Sequence, residues 1–80
     1  MCLVKLKWQD IMTYGDKKPL GEAMCAQLAT CETVGFLIYE DKKQIILAHN
    51  IFDIPECPQK FASEYSVIPK GCVIERRDYQ

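Results

Sequence analysis

The sequence has no stretch approaching the roughly 18 consecutive apolar residues that cross a bilayer as a helix. Residues 2–6 are too few, and are already charged at Lys5, so neither a membrane anchor nor a signal peptide is expected. Histidine is almost missing: His49 stands alone, and with no Cys-x-x-Cys pair there is no ligand spacing for a zinc site. No metal or cofactor is expected. Glycine is sparse, and Gly15 and Gly21 are too isolated to form a phosphate-cradling loop. No sign of charge dominates. A net charge of −1 excludes the basic excess of a general nucleic-acid coat protein, and duplex DNA is not an expected partner. The cysteine count is odd, with Cys2, Cys25, Cys31, Cys57 and Cys72 and no secretory signal, which points to free thiols in a reducing compartment. A cytoplasmic location is the expectation.

What is present describes a folding chain. The 80 residues are 49% hydrophobic and 26% charged, a globular balance, and their length allows one domain spanning residues 1–80. A core of that size supplies only about 3–5 kcal/mol unaided, so a homo-oligomer is expected.

Residues 3–8 alternate, with Val4, Leu6 and Trp8 on one side and Lys5 and Lys7 on the other, as in a half-buried strand. A polar loop follows around Gly15 and Pro19. Leu20, Met24, Leu28 and Cys31 recur at helical spacing among alanines, predicting a helix of two to three turns. Residues 33–39 and 44–49, separated by a charged tip, predict a β-hairpin whose strands are apolar on both faces. Pro55 and Pro58 predict a loop reaching to about Glu64. Residues 65–68 and 72–77, joined by Pro69-Lys70-Gly71, predict two closing strands. The expected fold is α+β and mostly β: five short antiparallel strands in a small barrel with one short helix.

No catalytic arrangement emerges, and the chain is not expected to be an enzyme. His49, the sole base for a thiol nucleophile, sits at a strand end, where a histidine bonded to backbone or solvent is the usual finding. Asp10 and Asp53 follow strand ends, where capping or turn formation is their ordinary role. Of the basic doublets, the lysine pairs fall on loop tips. Arg76 and Arg77 lie on a strand and face opposite ways, so one of them is turned inward or toward a partner, where it can grip phosphate. Trp8 and Tyr14 offer stacking faces for a base, and His49 with Asn50 can donate to a ribose or base edge, although core packing is the default for Trp8.

Trp8-x-Asp10, Val34-Gly35-Phe36-Leu37-Ile38, Ile46-Leu47-Ala48 and Ile68-Pro69-Lys70-Gly71 follow one another in an order that resembles small uncharacterised proteins of bacteriophages and prophages. The closing strand, turn and strand also look like the end of an SH3-like or Sm-like barrel. The phage resemblance implies a host-cell cytosolic, non-enzymatic binder that sequesters a nucleotide-like immune signal. The candidate residues for such a ligand, read from their own chemistry, are Trp8, Asp10, Tyr14, His49, Asn50, Arg76 and Arg77. Two alternatives belong to other classes: an inhibitor of a host defence protein, which would expose an apolar patch when free, and an Sm-like RNA-binding module, against which the acidic balance counts.

Overall fold

The computed structural model describes residues 2–79. Five strands, β1 (Leu3–Asp10), β2 (Ala29–Glu40), β3 (Gln44–Asp53), β4 (Lys60–Pro69) and β5 (Val73–Tyr79), form a single antiparallel sheet in the order β4-β3-β2-β1-β5. A 3₁₀ turn, Lys70–Cys72, carries the chain from β4 to β5, which then pairs with β1 at the opposite edge.

The inner face carries the core. Register places Val4 opposite Gly35, Leu6 opposite Thr33 and Trp8 opposite Cys31, while Leu37 faces Leu47 and Ile45 faces Ile68. Directly paired residues share a face, so the period-2 pattern of β1 is read across the whole sheet. Val4, Leu6, Ile45, Leu47 and Ile68 are buried, with Cys2, Trp8, Leu37 and Val73 packed around them. Each buried aliphatic contributes about 1.5–3 kcal/mol of transfer free energy.

For β3 and β4 to reach β1, the sheet must bend, and β2 provides two means. Ile38 is an extra residue that breaks the register between Leu37 and Tyr39, a bulge that increases local twist. At Gly35 the missing side chain admits the neighbouring strand: a Cβ there would lie 2.8 Å from the Ala48 carbonyl oxygen. Beyond this point the sheet divides. Residues 29–35 of β2 pair with β1, whereas residues 50–53 of β3 pair with β4. Within the β3–β4 ribbon Glu64 adopts φ 54°, a left-handed conformation uncommon outside glycine, and the ladder skips the His49–Glu64 pair.

The expected five antiparallel strands are present, and the sheet is strongly bent. It does not close by strand pairing: among the described residues no ladder joins β4 to β5, which remain its two edges. The helix also differs from the expected two to three turns. Helix α1 (Leu20–Ala23) has four residues, and Thr30 and Cys31 belong to β2, opposite Gln9 and Trp8. The reason is tertiary. Every residue from 11 to 28 is exposed, so the apolar stripe of Leu20, Met24 and Leu28 meets no core, and short helices depend on such packing.

Candidate functional site

On the outer face the side chains fall into transverse rows set by strand register. Tyr65, Ala48, Phe36, Leu3 and Tyr79 form one row across all five strands. Beside it run Val34, Lys5 and Arg77, and then Glu32, Lys7 and Glu75. An apolar row thus adjoins a row containing two cations, which adjoins a row with two carboxylates flanking a third cation.

The last two rows line a groove of about 440 Å³ bounded by Lys5, Lys7, Glu32, Glu75, Arg76 and Arg77. Lys5 reaches Glu32 at 3.7 Å. The Arg77 guanidinium lies over the Tyr79 ring, 5.5 Å from its centroid, a cation–π contact that holds the donor fork near the groove. Among the described residues neither Lys7 nor Arg77 forms an ion pair. Cations with spare donors can receive an anion, while the carboxylates can accept hydrogen bonds from hydroxyl groups.

Arg76 also borders this groove, but its guanidinium is committed elsewhere. Nε and Nη2 donate to Asp78 at 2.8 and 3.1 Å, and Nη1 donates to Glu40 at 2.7 Å. Lys70 reaches the same Glu40 oxygen at 2.9 Å. These contacts tie β5 and the 3₁₀ turn to the β2–β3 hairpin across the bend. Hydrogen bonds from Arg76 and Lys70 lower the Glu40 pKa from 4.5 to about 2, and those to Asp78 and Glu40 raise that of Arg76. At the hairpin tip, the backbone N–H groups of Lys43 and Gln44 donate to Asp41 at 2.7 and 3.0 Å and lower its pKa. The Tyr39 hydroxyl donates to the same carboxylate at 3.1 Å, and that bond raises the Tyr39 pKa.

The seven residues singled out from the sequence are spread over the fold. Trp8 packs against the core, with its indole N–H donating to the Thr33 hydroxyl at 3.0 Å. Asp10 ends β1 and accepts the Ile11 N–H at 2.8 Å. Tyr14 lies in the exposed segment 11–28 and donates to the Gln27 carbonyl at 3.4 Å. His49 and Asn50 sit on β3, separated from β1 by β2, and Asn50 donates to Glu64 at 3.5 Å. Of these residues, Arg76 and Arg77 border the groove. Lys5, Lys7, Glu32, Glu75 and Tyr79 complete its surroundings, and none had been singled out. Their alternation was legible in β1, but which strand lies beside β1 was not.

Among the described residues no group of three His, Cys, Asp or Glu side chains is placed to hold a metal ion, and the five cysteines are free thiols. No helix among them is long and apolar enough to cross a membrane. Set against known protein families, curated proteins and solved structures, the chain matches none.

Proposed function

We propose that the chain is a non-enzymatic binding protein that holds a small, phosphorylated, nucleotide-like ligand in the groove between β1 and β5. The observation that carries this reading is the pair of rows on the outer face, in which Lys5, Lys7 and Arg77 stand beside Glu32 and Glu75. Lys7 and Arg77 supply donors for a phosphate group, and the carboxylates accept from ribose hydroxyls. Plain inorganic phosphate uses only the first of these features, which favours a ligand carrying both. The resemblance to small phage-encoded proteins suggests the biological setting, removal of a nucleotide immune signal from the host cytosol. Arg76 acts as part of the clasp through Glu40.

Calorimetry with inorganic phosphate, ADP-ribose and a set of cyclic dinucleotides tests the proposal. A nucleotide-like compound should bind more tightly than phosphate, and Lys7→Ala and Arg77→Ala should each weaken it by about 1.5–3 kcal/mol, the worth of a charge-assisted hydrogen bond. No binding by any compound at millimolar concentration, or binding indifferent to both substitutions, would overturn it.

A second reading, inhibition of a host defence protein, is favoured by a separate observation. Ile11, Leu20 and Met24 each expose more than three quarters of their surface, at 79, 79 and 77%. An apolar segment of this kind ordinarily meets a protein partner.

A further inference from the structure

We propose that the exposed segment 11–28 of one chain lies against the outer sheet face of a second copy of the same chain, in a reciprocal exchange. The surface area is the first argument. A folded monomer of this mass should expose about 4,900 Å², whereas this chain exposes 6484 Å². Its radius of gyration, 17.1 Å, exceeds the roughly 12 Å of a compact 80-residue chain. Two chains that each hid the surplus would bury about 3,000 Å² between them, inside the range of about 2,000–5,000 Å² for obligate homodimers.

The chemistry of the two surfaces is the second argument. Segment 11–28 carries Ile11, Met12, Leu20, Met24 and Leu28, all exposed. The outer face carries Val34, Tyr39, Tyr65 and Val67, also exposed, with Phe36 half-buried among them. Apart from Ala48, which is buried in the row between Phe36 and Tyr65, these exposed side chains are left open by their own chain. Backbone hydrogen bonds in the segment run only between Pro19 and Ala26 among the described residues, so the chain itself does little to hold it. In a twofold arrangement each copy gives one segment and receives one, so both surfaces of both chains are covered by a single kind of contact. The proposal uses none of the groove cations, but Val34 stands in the row of Lys5 and Arg77, so the docking surface and the groove share one face.

Sedimentation velocity and concentration-dependent hydrogen exchange on the full chain provide the test. The wild type should sediment as a dimer at about 100 μM, and amides in residues 11–28 should gain protection as concentration rises. Leu20→Asp with Met24→Asp, and separately Val67→Asp, should each weaken self-association about 30-fold or more, the loss expected when a central contact is removed. All three positions are exposed within the chain, so far-UV circular dichroism should be unchanged. A wild-type monomer at that concentration, or a dimer whose segment 11–28 exchanges freely, would overturn the proposal. The exchange measurement needs no variant and decides the matter if a variant fails to fold. A segment protected only when a host polypeptide is added would give it to the inhibitor reading.

Discussion

Replacing Gly35 by alanine puts one methyl group against the backbone of β3. The new Cβ would lie 2.8 Å from the Ala48 carbonyl oxygen and 3.1 Å from the Leu47 Cβ. The first of these is backbone and cannot rotate away, so β2 and β3 must separate. Forcing a methylene into a packed site costs about 1–3 kcal/mol. Against this stands the lower entropy of the unfolded alanine chain, worth about 0.4–1 kcal/mol because Gly35 has an ordinary φ. The net loss is about 1–2 kcal/mol, and for a chain of this length that lowers the melting temperature by roughly 5–15 °C. Gly71→Ala is the control. A Cβ at Gly71 meets nothing within 4 Å, so that variant should melt at or slightly above the wild type. Thermal unfolding by circular dichroism at one fixed protein concentration makes the comparison. A Gly35→Ala protein as stable as Gly71→Ala would refute the reading that the missing side chain of Gly35 is what admits β3.

The Glu40 clasp should be visible in acid. With its pKa lowered to about 2 in the fold against an ordinary 4.5, Glu40 contributes stability that is full above about pH 4.5 and is lost as pH falls toward 2. Glu40→Gln should therefore flatten the fall in melting temperature over that window. Leu47→Ala, at a position 1% exposed, should cost about 2–5 kcal/mol, comparable to all that a core of this size supplies; a variant melting within 5 °C of wild type would contradict the packing described. Thr33→Val removes the acceptor of the indole N–H at 3.0 Å and should cost about 0.5–1.5 kcal/mol, with a shift in the emission of the single tryptophan.

Local pattern revealed much of the fold and little of the site. Alternation in residues 3–8 identified β1 and its inner face, because a strand buried on one side writes its period directly into the sequence. Charged residues at 40–43 marked the hairpin tip for the same local reason. The helix expectation failed from Met24 onward: apolar spacing has value only if something receives it, nothing in the chain buries Met24 or Leu28, and β1 took Thr30 and Cys31 as partners. The site depends on such pairings throughout. That Lys5 lies beside Arg77, and Lys7 between Glu32 and Glu75, follows from β5 returning to β1 across more than sixty positions of sequence. Arg76 illustrates the same limit: strand parity turns one of Arg76 and Arg77 inward without saying which, and the commitment of Arg76 to Asp78 and Glu40 was not legible.

The bulge at Ile38 gives the β2–β3 hairpin a counting rule. On either side of it, residues of β2 take opposite parities on the sheet, so that both Leu37 and Glu40 stand on the inner face, opposite Leu47 and Ile45. Deleting Ile38 alone would restore an unbroken alternation, with Leu37, Tyr39 and Glu40 still opposite Leu47, Ile46 and Ile45; deleting a second residue would force a choice. With no bulge left to absorb that second loss, either Glu40 turns outward and leaves Arg76 and Lys70 without their shared carboxylate, or β3 slips by one and turns Leu47 and Ile45 to solvent. A single deletion should therefore be tolerated at Ile38 and at the tip, residues 41–43, and a double deletion in the strand leading to the tip should not. A library of single and double deletions scanned from 36 to 44 and sorted for soluble protein would read that rule out directly.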